Sequence, residues 1–176
     1  MKLRKTNAVF GLICTILLLD HAIFLAVWML SQGSIPNTAS AVPRILTVFF
    51  LVHAIISIVL KVLADKDNKG HKGREYPRLN AATIVQRISG VLMIIFTALH
   101  ILGATGVTQT PQMMHAIVPP LFFFLVLVHV AISTSKAFIT LGIGNAKFVK
   151  RADIVIKVIC AATLVADVIG FYLYVC

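Results

Sequence analysis

Five long apolar stretches occupy most of this 176-residue chain, and they constrain its fold more than any other feature. Each is close to the ~20 residues that an α-helix needs to cross the hydrocarbon layer of a membrane. The stretches run over approximately 8–31, 43–64, 84–105, 115–140 and 152–175. Because a backbone in hydrocarbon must satisfy its own polar groups, the sequence predicts one all-α domain, an integral membrane bundle of five transmembrane helices.

The composition agrees with a membrane location. The chain is 59% hydrophobic and 12% charged, whereas about 25% of the residues of a typical soluble domain are charged. The first stretch follows a basic N-terminal region, a pattern that also describes a signal peptide. It is longer than a typical signal-peptide core, however, and it contains Asp20 and His21. These features favour an uncleaved span.

The basic residues predict the orientation of the bundle. In the five-span topology, 15 of the 16 Lys and Arg residues fall on one side, and only Arg44 falls on the other. The positive-inside rule therefore predicts a cytoplasmic N-terminus and an outer C-terminus in a multi-pass protein of the cell (inner) membrane. This topology also accounts for the net charge of +10, which is then no argument for binding nucleic acid.

Four histidines lie deep within the apolar stretches, one on each of the first four. They are His21, His53, His100 and His129. An ionisable side chain in hydrocarbon is costly and needs a partner, and neutral imidazole is a common metal ligand. The alternative interpretation is that these side chains are hydrogen-bonded contacts between helices, or a proton relay, in a haem-free scaffold or small transporter.

The depths of the histidines indicate that they form two pairs. Counted from the first basic residue at the inner end of each span, the separations are 16 residues for His21, 13 for His100, 8 for His53 and 7 for His129. At ~1.5 Å per residue, these separations correspond to depths of roughly 24, 20, 12 and 10 Å. Two levels with two histidines each predict axial ligands for two haems. The chain has no C-x-x-C-H motif, so the expected cofactor is non-covalent haem b.

Other polar residues are candidates for a quinone site or for docking. Asp20 is expected to be buried beside His21, where it either accepts protons during quinol oxidation or, as a protonated acid, bonds a neighbouring helix. Gln112 and His115 lie near the outer surface and could border a quinone pocket, or His115 could be an interfacial histidine. Asp167 lies within the fifth span and is a further candidate, because a carboxylic acid in the bilayer is often functional. The polar segment 65–82, which contains His71, is either a solvated connector or a docking surface for a peripheral subunit.

Each of the first four spans carries one histidine, with the histidine of span one paired with that of span three and the histidine of span two with that of span four. This pattern resembles the di-haem cytochrome b membrane subunit of succinate dehydrogenases and fumarate reductases. The stretch QRISG at residues 86–90, followed by His100, is similar to the third span of that family. The resemblance implies a distal haem held by His21 and His100 and a proximal haem held by His53 and His129. It also implies that Arg87 contacts a haem propionate or a neighbouring subunit.

The resemblance further implies a function. The chain would pass electrons between a cytoplasmic iron–sulfur subunit and a membrane quinone, with menaquinone favoured, while a separate flavoprotein subunit carries out the dicarboxylate chemistry. The alternative is another quinol-linked cytochrome b anchor, of the hydrogenase, formate dehydrogenase or nitrate reductase type. Those anchors tend to place several ligands on fewer helices. The chain has no phosphate-binding glycine loop and no Ser–His–acid arrangement, so no organic chemistry is expected of it alone.

Overall fold

The computed structural model describes residues 2–34, 41–69, 81–104 and 112–175. Within these ranges the fold is all-α, with five helices and no strand. The helices are α1 (Lys2–Leu30), α2 (Ala41–Lys69), α3 (Ala81–Ala104), α4 (Gln112–Leu141) and α5 (Ala146–Val175). The predicted all-α architecture with five long helices is therefore confirmed.

The helices extend beyond the apolar stretches, mainly at their polar ends. α1 begins at Lys2 rather than near residue 8, α2 continues to Lys69, and α5 begins at Ala146 rather than near residue 152. A helix satisfies its own backbone whether it is surrounded by lipid or by water. Lysine and arginine at its ends can reach polar surroundings through their long stems. Hydropathy therefore marks where a span crosses the membrane, but it does not mark where the helix ends.

Each of the five helices contains a segment long and apolar enough to cross a membrane. These segments are Lys2–Leu30, Val42–Leu63, Ala81–Leu102, Val118–Leu141 and Ala146–Tyr174. Large apolar side chains point away from the bundle on every helix, and Ile16, Val48, Ile95, Ile139 and Val158 are each more than half exposed. A surface of this kind suits lipid tails. The chain is thus a multi-pass membrane protein.

The central helices of the bundle are α1 and α4. They pack against each other, α2 packs against α1, α3 packs against α4, and α5 packs against both central helices. In the part of the chain that the structure describes, α1 forms no extended interface with α3, and α2 forms none with α3 or α4. The histidine-bearing helices one and three, and likewise two and four, are therefore diagonal rather than adjacent.

Small residues bring α5 against α1. A Cβ atom built on Gly170 would lie 3.1 Å from Met29 Cβ and 3.4 Å from the backbone oxygen of Ala26. Helix pairs in membranes use such small residues to approach closely, since hydrophobicity alone does not favour helix contacts over lipid contacts. Nearby, Leu127 and Val130 of α4 pack with Cys160 of α5 in the buried core. The side of the bundle formed by α1, α4 and α5 is therefore tightly packed.

Asp167 is the most deeply buried polar residue described. It lies on the same face of α5 as Cys160 and Gly170, and its exposed fraction is 0%. Both of its carboxyl oxygens lack a hydrogen-bond partner among the described residues. A buried polar group without a partner lowers stability, by about 1–3 kcal/mol in typical cases. The fold tolerates Asp167 at a cost in stability.

Replacing Asp167 with valine should therefore stabilise the protein. The change removes both unpaired oxygens and keeps a side chain of comparable size, so the free energy of unfolding should rise by about 1 kcal/mol or more. The measurement is thermal denaturation of the purified protein in detergent. Val165→Ala is the control, because Val165 is an exposed apolar residue on the same helix and its truncation should change stability by no more than about 0.5 kcal/mol. A lower melting temperature for Asp167→Val would mean that the carboxyl group has partners after all.

Candidate functional site

The structure brings the four histidines together as two pairs. The near pair, His53 of α2 and His129 of α4, lies closer to the basic end of the bundle, where α1 and α5 begin. The far pair is His21 of α1 and His100 of α3. The members of each pair are close enough to interact electrostatically. Because the helices concerned pack only through their neighbours, each pair faces across a diagonal of the bundle.

A hydrogen bond to α1 fixes the orientation of His53. Its Nδ1 atom lies 3.2 Å from the backbone oxygen of Asn7, which can only accept. Nδ1 therefore carries the proton, and Nε2 keeps its lone pair. Histidines that bind metals usually donate their other ring N–H to such an oxygen, which fixes the tautomer and the direction of the ring. His53 is thus oriented as a metal-ligating histidine would be.

His129 is oriented in the same way through a short relay to α3. Its Nδ1 lies 3.0 Å from Oγ of Ser89, and that hydroxyl donates to the backbone oxygen of Gln86 at 3.2 Å. Because the hydroxyl proton goes to Gln86, the oxygen of Ser89 must accept from Nδ1–H. The Nε2 atom of His129 is again the one with a free lone pair. Ser89 is itself buried, so water does not compete freely for this bond.

The far pair is held by fewer polar contacts. Nδ1 of His21 is buried and has no hydrogen-bond partner among the described residues. The His100 ring packs against Phe122 of α4, with ring centroids 5.5 Å apart and planes inclined by 36°. Phe122 also stacks on Phe96 of α3 at 6.2 Å. Among the described residues, the contact of the exposed His100 ring is therefore aromatic.

Contacts between neighbouring helices place the pairs at different depths. Phe122, which touches His100, precedes His129 by seven residues on α4, a rise of about 10 Å. A Cβ atom on Gly90 of α3 would lie 3.1 Å from Cε1 of His129, and Gly90 precedes His100 by ten residues, a rise of about 15 Å. The two levels are therefore roughly 10–15 Å apart along the bundle.

A polar cluster lies on the basic-end side of the near pair. Lys136 follows His129 by two turns of α4, and its Nζ donates to Oε1 of Gln86 at 2.6 Å and to Oγ1 of Thr83 at 3.1 Å. The Gln86 amide nitrogen donates in turn to Ser133 Oγ at 3.0 Å. Arg87 is exposed and close enough to interact electrostatically with Lys136. Two cations at this level can hold carboxylate groups.

Sequence reasoning did not assign a site role to Lys136, Ser89 or the glycines. The signal for Lys136 was its position seven residues after His129, which places both on one helical face. The sequence pattern did not predict that Gly90 or Gly11 contacts a histidine ring. The depths read from the sequence predict the pairs His21 with His100 and His53 with His129, and an electrostatic interaction links the members of each pair. Their role as paired ligands stays a prediction.

The candidate quinone residues are described only in part. The expected burial of Asp20 is wrong, because its position on α1 turns the side chain to the bundle surface, where it is exposed. Gln112 and His115 belong to the first turn of α4, but their side chains lie outside the described residues, as does the whole of His71. The fully buried acid is Asp167, which has no contact with the near pair in the described set.

The histidine pairs match the number of protein ligands that a haem takes. Among the described residues, no group of three or more His, Cys, Asp and Glu side chains could hold an ion. Haem brings its own four nitrogen ligands and needs at most two from the protein. Each histidine pair offers two imidazoles across a diagonal, and both members of the near pair direct a free Nε2 away from their tethers. Lys136 and Arg87 could hold the propionates.

Comparisons with known proteins add no assignment. No family model, curated protein or solved structure matches the chain, so the histidine geometry stands without support from a relative.

Proposed function

We propose that this chain is the di-haem cytochrome b membrane anchor of a succinate dehydrogenase or fumarate reductase complex. It would pass electrons between a cytoplasmic iron–sulfur subunit and a membrane quinone. The observation that carries the proposal is the arrangement of four histidines as two diagonal pairs at two depths. A scaffold that used histidines only to join helices would not need this matched arrangement.

The protein residues have distinct parts in this proposal. His53 and His129 would ligate the haem nearer the basic end, His21 and His100 the other, and Lys136 with Arg87 would hold propionates. Bound haem supplies reversible one-electron transfer. The chain contributes the ligand tautomers, through Asn7 and Ser89, and apolar surroundings that limit the access of water. Ligand identity, hydrogen bonding and burial are the means by which a protein tunes a haem potential.

The basic end would face the cytoplasm. The first turn of α1 and the start of α5 carry lysine and arginine there, as the positive-inside rule requires of a cytoplasmic face. The near pair would then be closer to the iron–sulfur subunit and to its flavoprotein partner. A quinone, preferably menaquinone, would react near the far pair, because a site beside the near pair would leave the second haem without a use.

Substitution of the histidines tests haem ligation. His53→Ala or His129→Ala should remove the haem nearer the cytoplasm, and His21→Ala or His100→Ala should remove the other. The measurements are haem content per chain and a redox titration of the b-type spectrum, in which each variant should lose one of two transitions. His71→Ala, in the polar connector, is the matched control and should keep both.

Three results would contradict the proposal or part of it. If His21→Ala and His53→Ala abolished the same transition, the depth pairing would be wrong. A colourless protein from haem-replete cells would favour the haem-free scaffold instead. The protein could also hold two haems but co-purify with no flavoprotein and iron–sulfur subunit that oxidise succinate or reduce fumarate. That result would favour an anchor of the hydrogenase, formate dehydrogenase or nitrate reductase type.

Reporter fusions test the orientation. A reporter inserted near Gly70 should be cytoplasmic and one fused after Cys176 should be extracytoplasmic, because 15 of 16 basic residues fall on the side of the connector. Activity of paired reporters, one functional only in the cytoplasm and one only outside it, gives the measurement. The opposite location at both positions would exchange the quinone side and the subunit side.

Two further variants test the quinone site. Asp20 is exposed beside His21, where a quinone dissolved in the membrane could reach it, and quinol oxidation needs a group that accepts protons. Asp20→Asn and His115→Ala should keep both haems but slow haem reduction by a menaquinol analogue in stopped-flow measurements. Unchanged rates in both variants would move the site elsewhere, with the region of Arg87 and Ser89 as the next candidate.

A further inference from the structure

The two halves of the histidine bundle repeat the same set of contacts. α1 carries an amide residue, a glycine and a histidine at Asn7, Gly11 and His21. α3 carries the same three residue types at the same spacing. The α3 residues are Gln86, Gly90 and His100. On α2 and α4 each near-pair histidine is followed four residues later by a serine. These are Ser57 and Ser133.

The repeated residues make equivalent interactions. The Asn7 side chain accepts a hydrogen bond from Ser57 at 3.2 Å, and the Gln86 side chain donates one to Ser133 at 3.0 Å. The backbone oxygen of Asn7 accepts a hydrogen bond from His53 directly, and that of Gln86 is linked to His129 through Ser89. The hairpins α1–α2 and α3–α4 are therefore two copies of one structural unit.

The glycine is the part of the unit that touches the histidine ring. A Cβ atom on Gly11 would lie 3.1 Å from Cε1 of His53, and a Cβ atom on Gly90 would lie 3.1 Å from Cε1 of His129. Non-bonded carbon atoms prefer separations of about 3.5–4.0 Å, so either methyl group would push the ring aside by a few tenths of an ångström. Cε1 is bonded to both ring nitrogens. A push on Cε1 therefore moves Nε2, while the hydrogen bond restrains Nδ1.

We propose that Gly11 and Gly90 are positioning residues that set the ring orientation of His53 and His129. The inference rests on the proposed haem ligation by these histidines. The absent side chain lets each imidazole lie against the neighbouring helix, and its hydrogen bond holds it there. Together they fix the direction in which each Nε2 atom points. Ring orientation is one of the features through which the surroundings of a ligand tune a metal centre.

The spectroscopic test uses Gly11→Ala and Gly90→Ala in the intact complex or the full chain. Both variants should keep two haems, while the midpoint potential and the low-spin electron paramagnetic resonance signal of the near haem shift. The far haem should be unchanged. Both variants act on histidines of the near pair, so both should shift the same signal.

Gly170→Ala is the matched control. Its added methyl would also lie 3.1 Å from a neighbouring carbon, Met29 Cβ, but at a helix contact that includes no histidine. It should alter thermal stability without altering either haem signal. If Gly170→Ala moved the near-haem signal as much as Gly11→Ala, the effect would be one of general helix packing and the proposal would be overturned.

A double-mutant cycle tests the same contact without haem. Gly11→Ala should lower the melting temperature of the protein, but the same change in a His53→Ala background should have a much smaller effect, because the ring that the methyl meets is gone. The cycle also applies if Gly11→Ala alone accumulates poorly, since His53→Ala should then restore its level. An equal loss in both backgrounds would overturn the proposal.

The outcomes separate this inference from the proposed function. A wild-type protein that binds no haem would refute the proposed function, while the double-mutant cycle would still decide whether each glycine acts through its imidazole. Wild-type protein with two haems and glycine variants with unchanged spectra would refute the positioning role alone.

Discussion

Hydrocarbon offers no hydrogen-bond partners, and the rest of this structure follows from that constraint. The backbone must pair within each helix, which yields five long helices. Polar side chains must pair with each other or with spare backbone oxygens. The Asn7 and Gln86 carbonyls act as such acceptors for the near-pair histidines. Their amide side chains are paired with Ser57 and Ser133. Several interior polar groups thus form compact sets around His53 and His129, whereas Asp167 and Nδ1 of His21 have no partner among the described residues.

The helices could be predicted from the sequence because each apolar stretch has the length of a membrane span. The sequence also predicts that His21 pairs with His100 and His53 with His129, since the basic residues mark one membrane surface and the helical rise converts residue counts into depth. The ligand role of these pairs stays a prediction. The helix ends at Lys2 and Lys69 could not be predicted, because hydropathy does not show how far a helix continues beyond its apolar segment.

The rotation of each helix about its own axis was not accessible from the sequence. Nearly every side of these helices is apolar, so the pattern does not distinguish the interior from the lipid face. Asp20 and Asp167 illustrate the difficulty, because both are acids within spans, yet Asp20 is exposed and Asp167 is fully buried. The roles of Gly11, Gly90 and Ser89 depend on the same rotations, and they emerge only when neighbouring helices are placed together.

The hydrogen bonds that orient His53 and His129 can form early during assembly in the membrane. Each near-pair histidine is held by the helix that precedes it in the chain, His53 by α1 and His129 by α3. A hairpin of two spans can therefore orient its own imidazole as soon as both spans have entered the bilayer, before the other hairpin is made. Helices in membranes form first and associate afterwards. The packing of α1 against α4 then joins the two hairpins, so the histidine pairs arise from docking of the hairpins rather than from rearrangement within them.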